Sequence, residues 1–127
     1  MPDQSFRTML SKLEQQGELI RFTKEVDPLT NMSAIEWKAF NELGKASLFT
    51  NIKGYKNWQA CSQIIADRKK WAIGLNLNEY DLLNQMLERM QKRIPAQAIN
   101  GNTPVKEIIK INNDVNLYDF PINLLHQ

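Results

Sequence analysis

Phe6, Met9, Leu10 and Leu13 recur at i, i+3, i+4 and i+7, the spacing that lays one apolar stripe along a helix. The predicted helix opens at Asp3 or Ser5, whose side chains can accept from the free amides of a first turn. It stops at Gly17, a residue free to take the left-handed backbone of a helix cap. The period then changes from helical to two. Between Leu19 and Val26, Ile20, Phe22 and Val26 alternate with Arg21, Thr23 and Glu25, and only Lys24 interrupts the apolar side. This run predicts a strand closed by Asp27-Pro28, because proline lacks the ladder donor and holds its predecessor extended. A second helix repeats the plan of the first: Thr30 or Asn31 as cap, Met32, Ile35, Ala39, Phe40 and Leu43 on one face, Gly44 as the end.

Ser47 to Ile52 and Gln59 to Ile65 read as short strands of a hairpin joined through KGYKNW, with Gly54 and Asn57 supplying the turn. Asp67 is placed to cap a short helix, RKKWAIGL. Asn78 can cap the longest predicted helix, Glu79 to Arg93, whose apolar side is Leu82, Leu83, Met86, Leu87 and Met90 and which Pro95 stops. After the polar loop PAQAINGNTP, Val105 to Ile111 alternates as a further strand, and Asn112-Asn113-Asp114 turns the chain. The fold class these elements predict is α/β: a single small domain, its mixed sheet of about four strands flanked by helices. Its expected core contains Phe6, Leu10, Leu13, Ile20, Phe22, Ile35, Phe40, Leu48, Ile64, Leu83 and Leu87. Trp37 lies off the stripe of its helix, where it is available for an interdomain contact.

The last stretch breaks the pattern. Val115 to Gln127 carries Val115, Leu117, Tyr118, Phe120, Ile122, Leu124 and Leu125 with neither helical nor strand period. A contiguous apolar run of this kind marks a missing contact. Residues 1–114 are therefore read as the domain, and 115–127 as an apolar connector toward a surface supplied from outside the chain.

Composition narrows the function. With 127 residues, 43% hydrophobic and 24% charged, the chain can bury a core without staples and is not disordered. A net charge of +2 and no basic block longer than Arg68-Lys69-Lys70 give a nucleic-acid partner little electrostatic support. That cluster opens a helix with the wrong sign for its dipole, so it is either solvated or placed where an anion or acidic partner arrives. No stretch approaches the roughly 20 apolar residues of a membrane span, and MPDQSF has no signal-peptide core, so the expected location is cytoplasmic. The single Cys61 excludes an internal disulfide and reads as a reduced, buried structural thiol.

Catalytic constellations are not evident. The five glycines are isolated, which excludes a phosphate-binding loop, and no zinc spacing or nucleophile elbow occurs. His126, the one histidine, has no nucleophile or orienting group beside it. The methionines at helical spacing read as core filler, and Glu14, Glu18, Glu25 and Asp27 as solvated or capping acids.

The order of the segments SFRTMLSKLEQQGELIRFTKEVDP, SLFTNIKGYKNW, RKKWAIGL and TPVKEIIKINNDVNLYDFPI, followed by His126, resembles the amino-terminal part of the UbiD-like decarboxylases. The resemblance covers almost the whole chain. It implies a non-oxidative decarboxylase or carboxylase of aromatic or α,β-unsaturated acids, using prenylated flavin mononucleotide (FMN), a divalent metal and a monovalent cation. The family's metal ligands and substrate-side Arg and Glu lie beyond the residues matched here, so the expected catalytic, cofactor-binding and metal residues of this chain are none. The implied partner is a missing catalytic domain or subunit, in an oligomer when complete; the alternative is an autonomous interaction module without enzymatic activity.

Overall fold

β2, Ala46–Phe49, is buried along its whole length because both of its faces are covered. In the computed structural model, which describes residues 5–124, it is the middle strand of a three-stranded mixed sheet in the order β1-β2-β3. β1, Leu19–Phe22, runs parallel to it, pairing Leu19 with Ala46 and Phe22 with Phe49. β3, Ala60–Ser62, runs antiparallel, pairing Leu48 with Cys61. α2, Met32–Leu43, makes the crossover that a parallel pair requires.

Alternation along β2 divides the core in two. Ala46 and Leu48 join Leu13 of α1, Phe6–Gln15, and Leu19; Met9, Leu10, Cys61, Ile64 and Ile73 pack around them. Ile73 belongs to α3, Arg68–Leu75, so α1 and α3 share this face. Phe49 joins Val26, Met32 and Ile52 on the other face, with Phe22, Ile35, Tyr55 and Ala60 against them. The parallel register stacks the rings of Phe22 and Phe49 at 5.2 Å. Burial pushes the half-buried Cys61 thiol up from its ordinary pKa, away from the reactive thiolate form.

The two glycines predicted to end helices do so. Gly17 has φ of 70° and Gly44 of 65°, and in each case the next residue's amide reaches back across the last turn: Glu18 N–H to the Leu13 carbonyl at 2.8 Å, Lys45 N–H to that of Ala39 at 3.1 Å. β1 and β2 each start two residues after the glycine that ends the preceding helix. Asp67 caps α3 as expected, accepting from Lys70 N–H at 2.9 Å. Asn31 instead turns its side chain back to accept from Asp27 N–H at 2.8 Å.

Several expectations are corrected. β1 stops at Phe22, and Val26 makes only an isolated parallel bridge to Ile52. The run Val105 to Ile111 is not a strand: Pro104–Lys106 forms a 3-10 turn and the apolar residues after it are exposed. Alternation specifies a face but supplies no pairing edge, and none of the described strands meets this run. The helix expected from Glu79 begins as a 3-10 turn, Glu79–Asp81, and α4 proper is Leu82–Gln91, shorter than α2. Of the expected core, Leu13 and Leu48 are fully enclosed, while Leu10, Ile20, Phe22, Ile35, Phe40 and Ile64 are half-buried. Phe6, Leu83 and Leu87 are 52%, 65% and 49% exposed, because their stripes extend past the elements that could cover them. No helix among the described residues is long and apolar enough to cross a membrane.

Two substitutions check this packing. Leu13→Ala should lower stability by about 2 to 5 kcal/mol, read from the denaturant midpoint, as truncation of an enclosed leucine does. Ser47 is fully buried on β2, and its hydroxyl has no hydrogen-bond partner among the described residues. Ser47→Ala should therefore leave the midpoint unchanged or raise it; a clear loss would reveal a partner for that hydroxyl.

Candidate functional site

Because Glu18 and Lys45 each follow a helix-ending glycine and stand immediately before adjacent parallel strands, the register sets them side by side. Ala46 N–H donates to the Glu18 carbonyl at 2.9 Å, and Lys45 Nζ approaches the Glu18 carboxylate at 3.3 Å. The first turn of α3 arrives over this point. Lys69 Nζ donates to the same carboxylate at 2.6 Å, and Lys70 Nζ lies 3.6 Å from its other oxygen. Lys70 is fully buried; its ammonium donates to the Gly44 carbonyl at 2.7 Å and to the Asp67 carboxylate, and lies 5.9 Å from the centre of the Phe40 ring.

The basic cluster is thus neither a solvated run nor a site awaiting an acidic partner, at least at Lys69 and Lys70. Their acidic partner is Glu18 of the same chain. Burial would push the Glu18 carboxyl up, but the bonds from Lys69 and Lys45 outweigh it and hold the group below the ordinary carboxylate range. Asp67 is held low in the same way, against burial, by the Lys70 side chain and by backbone amides. Lys69 is raised by its bond to Glu18. Glu18 is buried rather than solvated, a correction to the reading of the acids from sequence. Glu14 and Asp27 are also paired: Arg21 grips Glu14 through two nitrogens at 2.8 and 2.6 Å, and Lys53 meets Asp27 at 2.8 Å. This arrangement is a structural clamp, since every polar group in it already has its partner within the chain.

The second feature is apolar. No described residue after Leu82 is buried, although Leu83, Leu87 and Met90 on α4, Ile94, and Val105 to Ile111 are rich in large apolar side chains. α4 is held by Leu82 and by Arg89, whose guanidinium donates to the Leu75 carbonyl at 2.8 Å and to that of Asn76 at 3.4 Å at the end of α3. The terminal stretch returns to this chain: Phe120 meets Trp58 edge-on at 5.2 Å, and the Tyr55 hydroxyl donates to the Tyr118 carbonyl at 3.1 Å. Its apolar side chains nonetheless remain exposed. Trp37 is exposed too, as its position off the helix stripe implied. His126 and Leu125 lie outside the described residues.

A model of the 3-octaprenyl-4-hydroxybenzoate carboxy-lyase N-terminal domain, UbiD_N, matches residues 10–90. The chain belongs to this family. The UbiD_N match spans α1 to α4 and so contains the whole buried core, from Leu13 to Leu82. Phenolic acid decarboxylase of Bacillus subtilis (strain 168) is 28% identical over 124 residues, which are 94% of this chain and 26% of that protein. The UbiD-class enzyme HmfF from Pelotomaculum thermopropionicum, solved in an evolved dimeric form with prFMN, is similar with a TM-score of 0.79 and 28% identity over 98% of this chain and 29% of its own. Vanillic acid decarboxylase of Sedimentibacter hydroxybenzoicus in its closed form gives 0.82 at 27% identity, over 100% of this chain and 28% of its own. This UbiD_N chain therefore spans less than a third of the length of these relatives.

The residues described do not fit a flavin with its metal. Among them, no three His, Cys, Asp or Glu side chains gather as a metal site. The concavity between α3 and α4 is lined by Asn76, Leu77, Gln85, Glu88, Arg89 and Lys92, and Arg89 is committed to backbone carbonyls rather than free for a phosphate.

The clamp makes stability depend on pH. Glu18 and Asp67 lie below their ordinary values in the folded chain, so across the acid range the unfolded chain binds more protons. Their contribution is full above the ordinary carboxylate range of about 4 and is lost as pH falls through that range and below. The thermal midpoint should hold from neutrality to about pH 5 and decline below it, and Glu18→Gln should make the decline shallower. An equally steep decline in Glu18→Gln would remove Glu18 from the account.

Proposed function

We propose that this chain is the non-catalytic amino-terminal domain, or small subunit, of a UbiD-class decarboxylase or carboxylase acting on aromatic or α,β-unsaturated acids. The observation that carries this reading is the pairing of a family match across the folded body with relatives more than three times longer. In this reading prenylated FMN, a divalent metal and a monovalent cation are held by the part of the enzyme outside this sequence. Residues 1–114 act as the domain, with 115–127 as the apolar connector toward the catalytic part, in a cytoplasmic oligomer.

The domain's contribution is mechanical. Its core is closed on itself from Leu13 to Leu82, so it offers a rigid body against which a flavin-holding domain is seated and its substrate entrance shaped. The exposed apolar residues beyond Leu82 supply the seat. An autonomous interaction module would use the same surface without a decarboxylase behind it.

The test has two arms. The purified chain, mixed with prenylated FMN, manganese and a panel of cinnamic and hydroxybenzoic acids, should release no carbon dioxide above the cofactor-only control. Affinity capture from the source organism should return a flavin-containing polypeptide, identified by its absorption spectrum and mass. Turnover by the chain alone would overturn the non-catalytic assignment, and reproducible absence of a flavoprotein would favour the module.

A further inference from the structure

Residues 119 to 124 alternate in burial, but with the polarity reversed. Asp119, Pro121 and Asn123 are half-buried, whereas Ile122 and Leu124 are 59% and 46% exposed and Phe120, though packed against Trp58, is 47% exposed. An extended segment packed on its own domain normally turns apolar residues inward. Here the segment is fixed by polar contacts instead. Leu124 N–H donates to the Pro28 carbonyl at 3.0 Å, Ser33 Oγ donates to the Leu124 carbonyl, and Asn123 Nδ2 donates to Ser33 Oγ at 3.0 Å. Tyr55 and Trp58 hold its other end at Tyr118 and Phe120. The strap therefore crosses the first turn of α2.

Two exposed apolar residues belong to the elements it crosses. Leu29 follows Pro28 directly, and Trp37 lies one helical turn beyond Ser33 on the same face of α2. The strap carries one charge after Val115, at Asp119, and that carboxylate is taken by Lys110. A surface with large apolar groups exposed and its one charge neutralised suits an uncharged apolar partner, and the relatives of this domain are more than three times its length.

We propose that residues 118–124 are a pre-ordered strap, and that Ile122 and Leu124, beside Leu29 and Trp37, form the ridge on which an apolar surface of the following catalytic domain docks. The proposal rests on the decarboxylase reading for the identity of the occupant, but not for the strap itself. Fixing the segment before docking removes part of the ordering cost of association.

Hydrogen exchange on the dilute 127-residue chain tests the strap: the Leu124 amide should be protected, and Ser33→Ala should remove most of that protection without changing that of the β2 amides. Exchange of Leu124 at the rate of an unstructured amide in the unsubstituted chain would overturn the strap. Ile122→Glu and Trp37→Glu test the ridge, with the captured flavin-containing polypeptide as ligand. Each should weaken binding by roughly tenfold or more while leaving the thermal midpoint in place. Undiminished binding of both variants would overturn the ridge and leave the decarboxylase reading standing. Failure of the unsubstituted chain to bind any flavoprotein would overturn that reading and the proposed occupant together. Self-association that Ile122→Glu abolishes would put a second copy of this chain on the ridge instead.

Discussion

An ammonium group with no exposure to solvent is the constraint on which the rest of the fold depends. Taking a lysine out of water costs several kcal/mol unless its donors are matched. Lys70 has three N–H donors, and the structure directs them at three acceptors on different elements: the Gly44 carbonyl, the Asp67 carboxylate and, at longer range, the Glu18 carboxylate. Gly44 ends α2, Asp67 caps α3, and Glu18 immediately precedes β1. The carbonyl it meets is one that a helix end leaves without an internal partner, at the pole where a cation is favoured. One side chain thereby fixes the positions of three elements. Losing it would leave the Gly44 carbonyl without its donor and Glu18 with two of its three cations.

The clamp exists because of how two helices stop. Gly17 and Gly44 both take the left-handed backbone, and β1 and β2 each begin two residues after that glycine. The parallel register then places Glu18 beside Lys45 without any further device. A carboxylate at that corner explains a feature that reads as a fault in isolation, the three consecutive cations in the first turn of α3. They oppose the helix dipole, worth only about 0.3 to 1 kcal/mol at an exposed site, but two of them meet Glu18 at close range in a partly buried setting where the attraction is larger.

Much of the body was legible in the residues. Helical spacing located α1 and α2, the glycines marked their ends, and Asp67 announced α3, because each signal is local and its physics is complete within one turn. What escaped was whatever depended on a partner distant in sequence. Arg68-Lys69-Lys70 looks like a solvated run, and only the parallel register that brings Glu18 over it makes Lys70 a core residue. The stripe of α4 and the alternation of residues 105 to 111 are as regular as those of α1 and β1, yet Leu83, Ile109 and Ile111 face solvent. A sequence pattern tells which face of an element is apolar. It does not tell whether this chain supplies the cover.

That distinction divides the molecule near Leu82. Every buried residue among those described lies at or before Leu82, inside the family match that ends at residue 90. After Leu82, the same grammar of stripes and alternations persists while burial fails. A chain whose later segments were merely unstructured linker would not carry that grammar, since polar and small residues serve a linker better. Nor would a segment completing its own core turn Asn123 toward the body and Ile122 away from it. Both observations fit the proposed docking, in which polar bonds do the local anchoring and the apolar area is left for the larger contact.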